Sequence, residues 1–531
     1  TFFKMWILVV IGLLSVLVYY KILRLYKYWE QKGISFVKPV PFIGNMGTFL
    51  AQKQSFPHFL QDLYNAHPKQ RCVGCYLFFQ PTLMIRDPEL IKQITVKDFD
   101  VFPERQQFIP EGIDPLWDKN LFSMKGGQQW QDMRATLSPS FTGSKLRLMF
   151  GLMKECTQQL TNYFEKQDGV ITVEMKDIFS RFTSDVIAST AFGITCDSVK
   201  NPKNEFYAMG RDVTDFTGLR SLIFFINGLS STLMKLLNIK FIQDKVSTFF
   251  SNVIKESVRF RKEEGIIRPD MIHLLLEARK NHSEYNKQNN LGLGIKDLDL
   301  SQIHRRPKID ITDTDLTAQA LVFFIAGFHT ASTLMSFISY ELALNPDIQE
   351  RLREEIDRYA EDCNEDVTYE TLLGMKYLDM VVSETLRKWP PLEITNRQSV
   401  RNFTIEPKFP GESPVHIDAD TSCWIPIYPI QRDPEYFPNP DTFDPERFND
   451  ENKKNIKPFT YLPFGTGPRK CIGIRFALLE TKLIIFELLR KYEIIPVEQT
   501  QIPLVLLKGG LNMVTEKGIW LGFKPRCTAF S

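Results

Sequence analysis

The sequence predicts a mainly α-helical fold with small β-sheets, built as one large domain behind an N-terminal anchor. Three observations predict it. Apolar residues recur at three- and four-residue spacing along most of the 531-residue chain. Strand-like stretches are few and short. After Gly44 neither a change of composition nor an internal repeat divides the chain. Length alone would allow three or four domains of about 150 residues each. With 43% hydrophobic and 24% charged residues the composition is that of an ordinary globular protein. The 42 Phe point to a large apolar interior or pocket. A net charge of +2 leaves no electrostatic footprint for nucleic acid. Eight cysteines are too few for a disulfide scaffold and suit a reducing compartment.

The elements follow in chain order. Residues 5–20 carry no charge, and Lys21, Arg24 and Lys27 follow at once. The run is short for a spanning helix, but Phe2 and Phe3 extend it while Lys4 and Lys21 snorkel. Trp6, Tyr19 and Tyr20 stand where interface aromatics belong. No small-residue cleavage site follows, which favours an uncleaved anchor over a signal peptide. The basic flank places the rest of the chain in the cytosol. The expected division is 1–28 anchor and basic flank, 29–45 hinge stiffened by Pro39 and Pro41, and 46–531 catalytic body. Helices are expected over 55–66, 130–137, 145–166, 177–192, 244–265, 313–345, 347–360, 377–389 and 474–491. Strands are expected at 74–79, 82–85, 404–405 and 422–426. The polar stretch 280–309, with Gly292 and Gly294, reads as a surface connector.

The most informative segment is Phe464-Gly465-Thr466-Gly467-Pro468-Arg469-Lys470-Cys471-Ile472-Gly473. Two glycines and a proline make a tight turn that presents Cys471 just ahead of a helix. Backbone N–H groups and the dipole there favour a thiolate, and Arg469 and Lys470 add positive charge. A thiolate among glycines gives a flat metal macrocycle a strong axial ligand and a backbone that can approach closely. A lone Cys in a Gly-rich turn would more often be a buried structural residue. The fixed spacing of Phe464, Gly467, Arg469, Cys471 and Gly473 tips the balance, since it should arise by chance in about one protein of this length in ten thousand. This pattern resembles the signature of the haem-thiolate monooxygenases, the cytochromes P-450. The resemblance runs from about Pro39 to the carboxyl end.

Further motifs stand in that family's order. Trp130 and Arg134 resemble its W-x-x-x-R, which implies that both side chains reach one haem propionate. Glu384 and Arg387 resemble its E-x-x-R, and Arg447 its later arginine. Together they imply a carboxylate shared by two guanidiniums, which fixes the segment carrying Cys471. Arg397 and Arg469 are similar to propionate-binding arginines, with Arg105 a further candidate. Ala326-Gly327-Phe328-His329-Thr330 resembles A-G-x-(acid)-T on the distal face of the haem. By that resemblance Gly327 leaves room for dioxygen and Thr330 relays protons. His329 departs from the family's acid. It titrates near neutrality and could shuttle protons, could merely pack its helix, or could ligate iron.

The resemblance also implies a substrate cavity lined by Phe108, Leu116, Trp117, Phe323, Ile394 and Met513. The apolar stretch 216–237, with Phe224, is either core or a lid that touches the membrane. Lys453, Lys454, Lys457, Lys470 and Arg475 form either a solvated surface or a docking patch for an acidic electron donor. Cys72 and Cys75 form a C-x-x-C with no second pair at zinc spacing, and read as structural. The implied cofactor is haem b, with O2 as co-substrate and NADPH acting through a reductase. This chain has no G-x-G-x-x-G after a strand. Implied partners are NADPH–haemoprotein reductase, cytochrome b5 as a second donor, the lipid membrane and a small lipophilic substrate, with no nucleic acid. The implied location is the endoplasmic reticulum membrane, facing the cytosol. The stretch 137–145 looks most like insect microsomal, xenobiotic-metabolising members. Two rivals stay open: a reductase-independent haem-thiolate isomerase or dehydratase, and a weakly catalytic membrane protein that binds haem or lipophiles.

Overall fold

The computed structural model describes residues 2–215, 231–265, 268, 270–277, 279, 311–362 and 366–526. Phe224, the 216–237 stretch up to residue 230 and the connector at 280–309 lie outside the described residues.

Among the described residues eleven helices have ten residues or more. They are α1 (Phe2–Leu25), α2 (Phe56–Asn65), α3 (Gln128–Leu137), α4 (Gly143–Phe164), α5 (Met175–Ile187), α6 (Glu205–Thr214), α7 (Asp244–Glu264), α8 (Asp313–Leu344), α9 (Pro346–Asp362), α10 (Lys376–Lys388) and α11 (Ile474–Lys491). Each helix expected from periodicity is present, while α6 was not expected. The helical pattern over 177–192 ends in a π-helical turn, Ala188–Phe192, closed by Gly193 at φ 71°. At the start of α8 the Thr312 hydroxyl accepts from the Asp315 N–H, and the Asp315 carboxylate accepts from the Thr312 N–H. This capping box fixes where the helix begins.

Both α1 and α8 are long and apolar enough to cross a membrane. Their surroundings separate them. Most of α8 is buried against other helices, so it is the core helix of the body. By contrast, α1 is exposed along nearly all its length and joins the body only at its end, through buried Ile22 and Tyr26. Its 24 residues span about 36 Å, enough for a bilayer core. The segment after it is fastened to the body. Trp29 is fully buried, its indole N–H donating to the Cys75 carbonyl at 3.0 Å. Gly44 lies at φ 67°, where a Cβ would overlap the Tyr76 carbonyl.

Nine strands complete the described fold: β1 (Cys72–Leu77), β2 (Gln80–Ile85), β3 (Ile171–Glu174), β4 (Thr395–Gln398), β5 (Phe403–Ile405), β6 (Val415–Ile417), β7 (Ser422–Ile425), β8 (Tyr492–Pro496) and β9 (Trp520–Pro525). One sheet has the order β1-β2-β7-β4, the second β3-β9-β8, and the third pairs β5 with β6. In the first sheet β2 and β7 run parallel and the other pairs antiparallel; Arg397 on β4 lies opposite Cys423 on β7. Cys72 and Cys75 are both buried in β1. Three apolar clusters form the core. One surrounds the carboxyl half of α8 with α4, α10 and α11; one lies under the first sheet; one joins α7, Trp130 and the amino half of α8.

Candidate active site

The turn ahead of α11 is held by its own backbone. The Cys471 N–H donates to the Phe464 carbonyl at 3.0 Å, and the Lys470 N–H to the Gly467 carbonyl at 2.9 Å. Gly465 and Gly467 take φ 68° and 73°. A Cβ on Gly467 would overlap the Thr95 carbonyl. Gly467→Ala therefore combines a left-handed backbone with a backbone clash. It is expected to cost about 2 kcal/mol or more and to displace Cys471, read as lost haem content and a lower Tm.

Of the six described cysteines, five are buried and Cys471 alone is exposed. Protein crowds its other sides, and this burial pushes the thiol up from its ordinary value. The Gly473 N–H, Arg105, Arg134 and Lys470 pull it back without prevailing. This corrects the expectation that the helix end, Arg469 and Lys470 would themselves give a thiolate. Arg469 turns away: its Nε donates to the Pro103 carbonyl at 3.0 Å, and its guanidinium stacks 4.2 Å from the Trp130 ring.

Three guanidiniums converge on this turn, and Arg469 of the turn itself makes a fourth beside them. Arg397 donates to the Thr466 carbonyl at 2.9 Å, Arg134 to Lys470 at 2.7 Å and Arg105 to Arg469 at 3.2 Å. Burial, followed by mutual repulsion, pulls Arg397 down to about 9 and Arg469 to about 8. Burial lowers Arg105 to about 10 and lowers Arg134 as well. No carboxylate is ion-paired with any of the four among the described residues. The Nε atoms of Arg105 and Arg397 are buried without a hydrogen-bond partner. A guanidinium keeps its proton in a protein, so the cluster calls for anions. These residues fit a ligand that brings carboxylates beside a metal.

The other wall comes from α8. Phe323, Ala326, Gly327 and Thr330 recur at i, i+3, i+4 and i+7 and share a stripe. Between residues 316 and 343 Ala326 alone is exposed. The Thr330 hydroxyl donates to the Ala326 carbonyl at 2.5 Å. Phe141 links this stripe to the thiol turn: its ring is 5.3 Å from Phe323, and it is what a Cβ on Gly473 would meet at 3.7 Å. Gly327 has a packing reason beside the one expected. Its Cβ would come 2.9 Å from Ile187, so the glycine lets α8 pack closely on α5.

His329 also differs from expectation. Its Nδ1 lies 3.5 Å from Thr333 Oγ1, on the stripe that faces α5 and Lys176. Burial, helped by the Lys176 cation, holds it well below the usual imidazole range. That direction runs against the expected titration near neutrality.

Behind the turn, Glu384 and Arg387 are fully buried and paired bidentately, Nε to Oε2 at 2.7 Å and Nη2 to Oε1 at 2.8 Å. Arg447 lies 3.5 Å from Glu384 Oε1, and the Asp444 N–H donates to the same oxygen at 2.9 Å.

A family model described as cytochrome P450, written here P-450, matches residues 35–521. The chain belongs to the cytochrome P-450 family. Cytochrome P-450 9e2 of Blattella germanica is 47% identical over 517 residues, covering 94% of each chain. Probable cytochrome P-450 9f2 of Drosophila melanogaster is 39% identical, covering 94% of this chain and 95% of the relative. Cytochrome P-450 6k1 of Blattella germanica is 36% identical, covering 97% and 96%. This cytochrome P-450 is a haem-thiolate monooxygenase, an oxidoreductase that uses haem iron and O2.

The P-450 fold brings most of the expected site residues together. Trp130, Phe108, Leu116, Trp117 and Phe323 join one apolar cluster, and Trp117 packs 4.3 Å from Phe241. Ile394 packs instead against the cluster under the first sheet, and Met513 lies in the cluster around α11. Two residues were missed. Fully buried Gln431 donates to the Leu386 and Arg387 carbonyls and accepts from the Leu462 N–H at 2.8 Å, tying α10 to the thiol turn. Lys176 reaches α8 from the first turn of α5. A cation at a helix amino end runs against the dipole, and that was its one sequence signal.

Proposed function

We propose that this cytochrome P-450 oxidises small lipophilic compounds, xenobiotics or endogenous lipids and hormones, with O2 and with NADPH supplied through a membrane flavoprotein reductase. The observation that carries it is the set of four anion-seeking guanidiniums, Arg397 and Arg469 buried and Arg105 and Arg134 half-buried, around one accessible cysteine. A bound haem would supply the oxygen chemistry, tuned by a cysteine thiolate ligand. Cys471 would hold the haem iron through its thiolate. Arg105, Arg134, Arg397 and Arg469, with Trp130, hold the propionates by charge-assisted hydrogen bonds. Phe464 and Gly473 flank the ligand turn. Ala326 and Phe323 border the distal side, Gly327 sets the position of α8 there, and the Thr330 hydroxyl holds and passes a proton. The Glu384–Arg387–Arg447 network anchors the turn. Phe108, Trp117 and Phe323 line the apolar end, and Ile394 and Met513 are outer candidates.

The apolar α1 supports anchoring in the endoplasmic reticulum membrane, with the body in the cytosol. The basic residues near the turn support docking of an acidic donor, reductase or cytochrome b5. The test is the carbon monoxide difference spectrum of dithionite-reduced protein in membranes, with Cys471→Ser alongside. A strongly red-shifted Soret band in the parent, lost in the variant, is expected. A band at the position of neutral or imidazole ligation in the parent would overturn Cys471 as the ligand.

A further inference from the structure

The chain between Arg105 and α3 crosses the amino end of α8, and one buried amide joins the two. Gln319 is fully buried. Its Nε2 donates to the Lys119 carbonyl at 2.7 Å, and its Oε1 accepts from the Leu121 N–H at 2.9 Å. Buried Thr317, Ser336 and Ser339 on the same helix bond back to α8 itself. Gln319 directs both its bonds to another segment, which it grips by one donor and one acceptor two residues apart. Phe323, Ala326 and Thr330 follow Gln319 at i+4, i+7 and i+11, so it continues their stripe toward the start of α8.

The gripped segment is tied down on either side. Asp114 is buried and accepts from the Trp117 N–H at 3.1 Å and from the Ile242 N–H, just ahead of α7, at 2.9 Å. Arg469 donates to the Met124 carbonyl at 2.8 Å and to the Leu121 carbonyl at 3.4 Å. Leu121 is therefore held through its N–H by the distal helix and through its carbonyl by the thiol turn. Asn120 stiffens the turn from within, donating to the Trp117 carbonyl at 2.6 Å and accepting from the Phe122 and Ser123 N–H groups. Two rings flank the grip. Trp117 packs 6.1 Å from Phe122, and Phe122, 38% exposed, lies under the Arg105 guanidinium at 4.0 Å. The segment thus spans from the anion cradle to the distal stripe.

We infer that Gln319 is a positioning residue for substrate size and orientation, setting how far Trp117 and Phe122 stand above the distal stripe. This rests on the oxidation reading above. Gln319 touches no reacting atom in this account and acts through the two rings. Without its amide, the buried Leu121 N–H and the half-buried Lys119 carbonyl lose their partners. The segment must then shift to satisfy them. Asp114 and Arg469 keep its ends, so the displacement stays in the roof and leaves the cradle in place.

Imidazoles bind haem iron directly, and they probe the space above it whatever the substrate. The haem-loaded protein in membranes is titrated optically with imidazole, which is too small to reach the roof, and with bifonazole, whose biphenyl group extends away from the iron. In Gln319→Leu the red-shifted carbon monoxide band and the affinity for imidazole should stay parental. Bifonazole should bind about 10-fold more weakly, the loss expected when an aromatic contact is displaced. Gln319→Asn keeps an amide in the same space but falls one methylene short of both partners. It should behave alike, and it carries the test should the apolar variant fail to take up haem. Trp117→Ala should weaken bifonazole by itself, and adding Gln319→Leu to it should weaken bifonazole little further, because both act on one wall.

Parental affinity for both ligands together with a lowered Tm would overturn the inference and leave Gln319 a staple between α8 and its neighbour. Equal weakening of both ligands, or full additivity with Trp117→Ala, would overturn it as well, since the effect would then reach the haem without the roof. Loss of haem in both Gln319 variants would do the same, by making the residue a requirement of the fold at large. A parent lacking the red-shifted band would instead sink the oxidation reading itself.

Discussion

Glu384→Ala is expected to cost about 3–5 kcal/mol, because it leaves the Arg387 guanidinium charged and buried with no carboxylate. Arg387 would keep only its bonds to the Gln431 and Thr442 carbonyls at 3.1 and 3.2 Å. The damage should reach the site. The same carboxylate accepts from the Asp444 N–H, and Gln431 joins α10 to Leu462 at the start of the thiol turn. For a chain of this length, unfolding in one step, the cost corresponds to a Tm lower by about 3–5 °C, with haem content falling in parallel. Arg447→Met should cost less, about 1 kcal/mol, since Arg447 is partly exposed and sits 3.5 Å from Glu384. Replacing Glu384 and Arg387 together by Met should recover part of the loss, because the fully buried cation leaves with the carboxylate and only Arg447, which is partly exposed, stays unpaired. Thermal unfolding and haem content of the three variants check this. A double variant as damaged as Glu384→Ala would show that the pair is needed for its shape and not for its charge balance.

That network was legible in the sequence because E-x-x-R sits at i, i+3 on one helix and Arg447 follows in a recognisable order. The thiol turn was legible for the same reason: its residues are consecutive, and its glycines answer a local need for positive φ. Long helices such as α8 and α11 were legible by the length of their apolar sequence, although α8 is buried nearly all round. What stayed hidden was set by distant chain. Arg105 and Arg469 meet across 364 positions, and no local pattern announces that the four arginines lack acids. Gln431 and Lys176 belong to no motif. His329 looked titratable near neutrality because a sequence does not reveal that burial and a neighbouring ammonium push it down. Strand β4, Thr-Asn-Arg-Gln, has no apolar alternation at all and is a strand only because β7 pairs with it.

Arg397→Met is expected to act with opposite sign on the two forms of this cytochrome P-450. Without haem, Arg397 is 1% exposed, its Nε has no partner, and Arg105 and Arg469 repel it. Removing the cation relieves that repulsion and the orphaned donor, against the loss of its bonds to the Asn396 and Thr466 carbonyls, worth about 1 kcal/mol each. The apoprotein should therefore be no less stable than the parent, with Tm unchanged or raised. With haem, Arg397 would give a charge-assisted hydrogen bond to a propionate, worth about 1.5–3 kcal/mol. Its loss should speed haem transfer to apomyoglobin by about 10- to 100-fold. The Soret position should not move, since Cys471 is untouched. Arg397→Lys should recover little, because a point charge cannot reproduce the fork that reaches both Thr466 and an anion. Were the apoprotein Tm to fall as far as the holoprotein Tm, Arg397 would be a structural residue, and the reading of the four guanidiniums as an anion cradle would lose its support.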